Sequence, residues 1–235
     1  EARLLSEESR ETIAKRIGAK YNEVYFTSGG TEADNHALKG IAFAAQNLGK
    51  NHIIVSAVEH HAVLETAEWL TKHGFAVDVI PVDSDARIDA QHVQEAIKST
   101  TCLISVMHAN NEVGTIEPVR EIARIAKAHE IPFHSDTVQT VGKIPVNVND
   151  LGVDLLAMSA HKLYGPKGIG AIFIRRGTKI DSLMQGGSQE SNRRAGTENV
   201  PLAAGFAKAI QMAVESREEL DGKFRLLKDK MISRL

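Results

Sequence analysis

The sequence predicts an α/β domain in which helices flank a mainly parallel, seven-stranded sheet. Short runs rich in β-branched residues alternate with segments of helical periodicity along the chain, and this alternation is typical of βαβ units. Most predicted strands are continuous apolar runs, which indicates that helices cover both faces of the sheet. Polar residues cluster directly after the strands, at the edge where open α/β sheets bind ligands.

The same patterns give the approximate bounds of each element. Strands are predicted at 24–27, 52–57, 76–82, 102–107, 132–136, 155–159 and 169–174. The last strand follows its predecessor closely and is a candidate antiparallel neighbour. Helices are predicted at 31–48, 62–73, 89–98, 118–130 and 200–235. Segment 185–201 is glycine-rich, has no strong period and is long enough to predict a functional loop.

Composition excludes several classes of protein. The 235 residues suffice for one large domain, and a net charge of −2 gives no basic excess for nucleic acid. No apolar run approaches the ~20 residues of a membrane span. The single cysteine, Cys102, rules out an internal disulfide, fits a cytoplasmic location and is expected to be a small core residue. The chain begins with Glu1 and ends in an amphipathic pattern without a C-cap, so we expect an excerpt of a longer protein.

Segment 28–34, SGGTEAD, follows the first strand and opens a helix. Glycines let the backbone turn, and a helix N-terminus favours an anion, which predicts a phosphate cradle. The alternative is an ordinary capped helix with Thr31 as the N-cap and Glu32 in the first turn. A nucleotide P-loop is excluded because no Gly-Lys-Ser/Thr follows.

Two further strand ends carry polar candidates. A histidine in EHHAV (59–63) could stack on a planar ring or move protons near neutral pH, although His60 and His61 could equally cap a helix or face solvent. In HANNEVGT (108–115), Asn111 could bond a phenolate oxygen or a substrate carboxylate. The alternative for that segment is a simple turn.

Asp136 ends an apolar strand, where an unpaired carboxylate is costly, so it requires a cationic partner. A protonated pyridine nitrogen would be such a partner and would keep the ring an electron sink. Gln139, three residues further on, could reach a ring substituent. The alternatives are a structural Lys or Arg partner, or a capping role.

The strongest signal is segment 154–174, in which a strand delivers Ser159-Ala160-His161-Lys162 to the ligand edge before a glycine-rich turn. A lysine there can form an imine with an aldehyde cofactor, while Ser159 and His161 can donate to phosphate oxygens. The alternative is a surface lysine in a Gly-Pro loop. A metal site is not expected, because the strand-end histidines form no i,i+4 pair and no HExxH pattern.

Six segments together resemble the NifS-like cysteine desulfurases, in the class-V aminotransferase group of fold-type-I pyridoxal-phosphate enzymes. These are TSGGTEADN, EHHAV, MHANNEVG, HSDTVQTVGK, SAHKLYGPKGIGA and GGSQESNRRAGTENVP. SAHK alone indicates the broader group, whereas NNEVG and RRAGTEN narrow it to desulfurases. The resemblance implies the cofactor-binding large domain at 1–214, with its N-terminal part missing. It also implies that 215–235 starts a helix leading to a C-terminal small domain.

The resemblance also implies a role for each site residue. Lys162 would hold pyridoxal phosphate as the Schiff-base lysine, and His60 would stack on the ring and assist proton transfer. Asp136 would pair with the pyridine nitrogen, Gln139 with the phenolic oxygen, and Asn111 with the cofactor and the substrate carboxylate. Gly30, Thr31, Ser159 and His161 would bind the phosphate. Thr197 would reach the phosphate of a partner subunit, which implies a homodimer with composite sites.

The implied reaction converts L-cysteine to L-alanine and passes the sulfur, as a persulfide, to an acceptor protein. That acceptor would be an iron–sulfur cluster scaffold or a tRNA thiolation enzyme. The family's nucleophilic cysteine and its carboxylate-binding arginine lie beyond this chain, and Cys102 does not match the position of that cysteine. Alternatives are selenocysteine lyase, another class-V enzyme such as a serine–pyruvate-type aminotransferase, or a non-catalytic cofactor-binding fragment. A nucleotide-binding doubly wound domain would instead carry no covalent cofactor at Lys162.

Overall fold

The computed structural model describes residues 1–234 and is organised around one mixed sheet. Its strands are β1 Val24–Thr27, β2 His52–Ser56, β3 Ala76–Ile80, β4 Thr101–Ser105, β5 Phe133–Asp136, β6 Leu155–Ser159 and β7 Gly170–Ile174. Their order across the sheet is β1-β7-β6-β5-β4-β2-β3. Strand β7 is antiparallel to both neighbours, and the other pairs are parallel. All seven predicted strands and the antiparallel neighbour are confirmed, with bounds within two residues.

Helices precede, connect and follow the strands. They are α1 Ala2–Arg16, α2 Gly30–Gln46, α3 His61–Thr71, α4 Ala90–Glu95, α5 Val119–Ala128, α6 Val148–Leu151, α7 Gln189–Asn192, α8 Val200–Glu215 and α9 Arg217–Ile232, with 3₁₀ turns at Tyr21–Glu23 and Ala160–Leu163. The prediction of one helix over 200–235 is wrong, because the chain breaks at Ser216. There the Ser216 hydroxyl bonds the Met212 carbonyl at 2.8 Å, a side-chain bond that bends helices.

The core lies on both faces of the sheet, as the continuous apolar strands predict. In β6, Leu155 and Ala157 pack towards α2 and α3, whereas Leu156 and Met158 pack towards α1, α5 and α8. All four side chains are fully buried. Burying a leucine contributes about 1.5–3 kcal/mol, so both helical layers are fixed to the strands that end at the ligand edge. Within residues 1–234, no helix combines the length and apolar character needed to cross a membrane.

Gly170, the first residue of β7, sets the distance between the sheet and the loop before α2. It pairs with Thr27 of β1 and Ser159 of β6. A Cβ at this position would lie 2.4 Å from the Met158 carbonyl oxygen and 2.7 Å from the Gly29 Cα. Only glycine therefore lets the start of α2 lie against the end of β6.

We predict that Gly170→Ala lowers the free energy of unfolding by about 1–3 kcal/mol, because the added carbon meets rigid backbone atoms. Urea denaturation measures this change. The control is Gly222→Ala, on the exposed helix α9, where a Cβ meets nothing within 4 Å. The control is expected to gain about 0.5–1 kcal/mol from helix propensity. Equal unfolding midpoints for Gly170→Ala and the unchanged protein would contradict the prediction.

Candidate active site

The N-terminus of α2 is open to an anion. Its N-cap is Gly29, which provides no side-chain cap, and the first helical bond runs from the Ala33 N–H to the Gly29 carbonyl at 3.1 Å. Within residues 1–234, the N–H groups of Gly30, Thr31 and Glu32 therefore have no acceptor. Three free N–H groups at the positive end of a helix dipole are suited to a phosphate.

Gly30, Ser159 and His161 meet at this helix end. A Cβ on Gly30 would lie 2.7 Å from Val138 Cγ2 and 3.7 Å from Ser159 Cβ, so the two segments are in close contact. Ser159 Oγ lies 2.9 Å from His161 Nδ1. Burial, followed by the charges of Lys162 and Lys167, lowers the pKa of His161. These hydroxyl and imidazole groups add side-chain donors beside the free N–H groups.

Thr31 is not the N-cap, so the capped-helix interpretation is wrong on that point. It is the second residue of α2 and leaves the helix end uncapped. Glu32 is in the first turn as expected, where it accepts hydrogen bonds from the Ser28 N–H at 2.8 Å and from Arg194 Nε at 2.8 Å. Burial raises the pKa of Glu32, but the bonds from Arg194 and Ser28 outweigh it, and the net shift is downward. Sequence reasoning missed Arg194.

Asp136 is 5% exposed at the end of β5. Its Oδ1 accepts the Val138 N–H at 2.8 Å in a local turn. Within the described residues, no Lys or Arg lies within 4 Å of the carboxylate, so the predicted structural ion pair is wrong. Burial, followed by repulsion from Asp34, raises the pKa of Asp136 to about 7. The ionised carboxylate therefore has no lysine or arginine partner among the described residues.

His60 is the N-cap of α3, and its Nδ1 accepts the Ala62 N–H at 3.0 Å. His60 therefore caps a helix, which was one of the two interpretations of this residue. The capping bond also fixes the ring and leaves Nε2 free.

The two asparagines of segment 108–115 have different surroundings. Asn110 forms the turn, with its Oδ1 accepting the N–H groups of Glu112 and Val113 at 2.8 and 2.9 Å. Asn111 is exposed and makes no hydrogen bond to the described residues.

Lys162 lies on the 3₁₀ turn held by buried Ala160 and Leu163, and its side chain is exposed without a hydrogen bond to the described residues. Gln139 is linked to Lys143, whose Nζ donates to Gln139 Oε1 at 2.8 Å. Burial, followed by the charge of Lys162, lowers the pKa of Lys143. Lys143 therefore bonds Gln139 and is affected by the charge of Lys162. No role was assigned to Lys143 from the sequence. The alternative of a surface lysine is therefore correct about the exposure of Lys162. Exposure alone does not exclude a chemical role for this side chain.

The predicted loop at 185–201 is ordered by long-range ion pairs. Glu190 makes two hydrogen bonds to the buried Arg10 guanidinium, at 2.6 and 2.8 Å, and accepts the Phe26 N–H at 2.8 Å. Arg194 bonds Glu32 on α2. Thr197 is exposed on this loop, and no hydrogen bond joins it to the other predicted site residues.

A metal site and a surface cleft are the two alternatives to a site at the carboxyl ends of the strands. In the part of the chain that the structure describes, no three His, Cys, Asp or Glu side chains are grouped to hold a metal ion. A cleft of about 860 Å³ lies at the opposite edge and is lined by Cys102, Lys127, Asp154 and Arg175. The volume of this cleft therefore does not indicate the position of the candidate site around Asp136 and Lys162. Cys102 is buried as expected, and burial raises its thiol pKa to about 11, which disfavours the thiolate.

The mixed sheet, the uncapped helix end, the buried Asp136 and the free Lys162 define an α/β protein of the aminotransferase fold class. Residues 1–228 match the family model for Aminotransferase class-V, and the chain belongs to that family. It is 56% identical to a cysteine desulfurase IscS of Dictyoglomus turgidum, over 99% of this chain and 59% of the relative. It is 51% identical to a cysteine desulfurase IscS of Methanosarcina thermophila, over 97% of this chain and 56% of the relative.

Solved structures give the same result. A NifS-like protein superposes with a TM-score of 0.96 at 43% identity, covering 99% of this chain and 64% of the other. The structure described as SspA in complex with cysteine gives 0.87 at 40% identity, covering 89% and 61%. The resemblance to NifS-like proteins and the fold-type-I fold are confirmed. The chain spans less than two thirds of the length of these relatives.

We predict that Glu190→Ala lowers the free energy of unfolding by about 3–5 kcal/mol, because it removes the buried carboxylate that makes two hydrogen bonds to the Arg10 guanidinium. The matched control is Glu215→Ala, which removes the partner of Arg16 from an exposed pair with the same 2.6 Å separation. The control is expected to cost less than about 1 kcal/mol. Chemical denaturation of both variants measures the difference. Similar losses in both would show that burial does not decide the strength of the Arg10–Glu190 pair.

Proposed function

We propose that this chain is the pyridoxal-phosphate-binding part of a cysteine desulfurase. The protein would convert L-cysteine to L-alanine and pass the sulfur on as a persulfide. The observation that carries the proposal is a buried carboxylate, Asp136, without a protein cation, at the same sheet edge as an exposed lysine, Lys162. The cysteine desulfurase names of the relatives support the substrate.

The residues at the edge fit pyridoxal phosphate. The free N–H groups of α2 at Gly30 and Thr31, with Ser159 and His161, would hold the phosphate. Asp136 would pair with the ring nitrogen, Gln139 would bond the phenolic oxygen, Asn111 would contact the cofactor and the substrate carboxylate, and Lys162 would make the covalent link. When bound, pyridoxal phosphate supplies a ring that stabilises negative charge at the substrate Cα.

The chain's own groups would then hold and move protons. Asp136 would keep a proton on the ring nitrogen, because a buried carboxylate is stabilised by a cation beside it. His60 would stack on the ring, and its Nε2 is the nitrogen left free to exchange a proton, since Nδ1 accepts the Ala62 N–H. Lys143 would orient Gln139 through the 2.8 Å bond to its Oε1.

The organisation of the complete protein is part of the proposal. Residues 1–214 would be the large domain, and 215–235 would lead to a small domain that contributes the nucleophilic cysteine. In support, α9 buries none of its residues and exposes Phe224 and Met231. Thr197 would reach the phosphate of a partner subunit in a homodimer. The sulfur acceptor would be a cluster scaffold or a tRNA thiolation enzyme, in the cytoplasm.

The activity is tested by incubating the full-length protein with L-cysteine and measuring alanine and persulfide sulfur. We expect equal amounts of both products in the first turnover. Parallel incubation with L-selenocysteine distinguishes a selenocysteine lyase, which would release alanine from that substrate alone. Transfer of an amino group to a keto acid without sulfur release would instead assign an aminotransferase and contradict the proposal.

We predict that borohydride reduction of the full-length protein with pyridoxal phosphate labels Lys162, as mapped by mass spectrometry of the peptides. Lys162→Ala is expected to abolish the label while leaving the fold intact, because the exposed side chain makes no contact that packing requires. The control is Lys167→Ala, an exposed lysine in the same turn, which should retain the label. A stable label in Lys162→Ala would overturn the assignment of the covalent link.

We predict that Asp136→Asn retains cofactor but lowers kcat about 10²–10³-fold, the usual loss when one preorganised electrostatic group is removed from an active site. An asparagine is close in size but cannot keep the ring nitrogen protonated. Alanine formation at saturating cysteine measures kcat. The control is Asp154→Asn, at the opposite edge of the sheet, which should keep kcat unchanged. Equal kcat values for the two variants would exclude the proposed role of Asp136.

A further inference from the structure

A cluster of buried carboxyl groups lies beneath the candidate site. Asp34 on α2, Glu59 in the loop after β2 and Asp136 on β5 are 1%, 6% and 5% exposed. His134, also on β5 and two residues before Asp136, is fully buried with them. Sequence reasoning assigned a role to Asp136 alone. Several negative charges cannot coexist at low cost in such a cluster, so the distribution of protons among these groups matters for the site.

Glu59 holds two loops together. Its Oε1 accepts the Ser56 hydroxyl at 2.5 Å and the Met107 N–H at 2.7 Å, whereas its Oε2 is buried without a partner. Burial, followed by the neighbouring carboxyl groups, raises the pKa of Glu59 well above its usual value. Glu59 therefore joins the loop carrying His60 to the segment after β4, and its burial favours the protonated form.

Asp34 and His134 face each other across 3.5 Å, measured from Oδ1 to Nε2. Both atoms are buried, and within the described residues neither makes a hydrogen bond at this separation. The second nitrogen of His134, Nδ1, lies 2.8 Å from the Ser105 hydroxyl. Burial raises the pKa of Asp34 to about 8 and lowers that of His134 to about 4, so both groups favour their neutral forms.

Asp136 differs from the other two acids in its surroundings. Its Oδ1 already accepts the Val138 N–H, and the His60 and His134 rings lower its pKa. Asp34 has no comparable donor. The titratable groups facing this pair are Glu59 and His60 from the loop after β2 and His134 from β5, while β4 contributes the neutral Ser105. One negative charge in the cluster therefore belongs on Asp136.

We propose that Asp34 and His134 share one proton across their contact and act as a positioning pair that keeps Asp34 uncharged behind Asp136. The proton is held by Asp34 Oδ1 and directed at the lone pair of His134 Nε2, while His134 Nδ1–H donates to Ser105, so neither member of the pair carries a charge. Asp136 is then the carboxyl group of the cluster that ionises. The use of this charge towards pyridoxal phosphate rests on the proposed function, whereas the proton distribution does not.

The test is a ¹³C-NMR titration of the aspartate carboxyl groups in the full-length protein without pyridoxal phosphate. In the unchanged protein, one aspartate should keep its proton to above about pH 7. Asp34→Asn should remove that signal and leave the Asp136 midpoint within about half a pH unit, because asparagine mimics the uncharged acid. Asp154→Asn, at the opposite edge, is the control and should leave both signals in place.

His134→Gln supplies an independent variant. The glutamine amide can donate to Asp34, so Asp34 should ionise at lower pH and the Asp136 midpoint should rise by about one pH unit or more. The proposal is overturned if the aspartate signal with the highest midpoint remains in Asp34→Asn, since that proton would then belong to another residue. It is equally overturned if Asp34→Asn lowers the Asp136 midpoint by more than about one unit, since Asp34 would then hold the charge. Borohydride labelling of Lys162 is a separate result, so failure of the proposed function remains distinguishable.

Discussion

The site depends on the cost of a negative charge at the end of β5. Asp136 is almost completely buried, and within the described residues only the Val138 N–H donates to it. An isolated carboxylate in such surroundings is unstable, and the usual responses are protonation or pairing with a cation. Within the described residues, a free helix end, a fixed imidazole and an exposed lysine lie at this edge of the sheet, but no lysine or arginine lies within 4 Å of the carboxylate. Under the proposed function, a cationic ring nitrogen beside Asp136 would remove the cost of its charge, and a phosphate would occupy the free helix end.

Strand positions and the ligand edge could be predicted from the sequence because they depend on local patterns. Continuous apolar runs mark strands buried on both faces, and Ser159 to Lys162 follow such a run directly. The pattern could not reveal the break at Ser216, where a single hydroxyl interrupts an otherwise regular helical period. Nor could it decide between Asn110 and Asn111, because both stand in the same turn and only the backbone geometry shows which side chain closes it.

Contacts between residues far apart along the chain could not be predicted from the sequence. Arg10 and Glu190 are 180 residues apart, and Arg194 and Glu32 are 162 apart. Each residue taken alone is an ordinary charged residue in a helix or loop. Together they fix loop 185–199 to α1 and to the first turn of α2. Asp34 and His134 escaped notice for the same reason, since a buried proton-sharing pair has no sequence period and depends on the packing of α2 across β5.

Helix α2 shows how burial prevails over the helix dipole. Its positive end favours anions, and an ionised Asp34, just over one turn from the free N–H groups, would gain at most about 2 kcal/mol from that field. Burial shifts the pKa of Asp34 from 3.8 to about 8, which corresponds to a penalty on the order of 5 kcal/mol for the charged form. The penalty exceeds the gain, so burial favours the neutral form of Asp34, while the acidic residue of the first turn, Glu32, is already bonded to Arg194. The free N–H groups at Gly30 and Thr31 therefore keep a field that favours an anion, and the same helix carries Asp34 into the buried cluster.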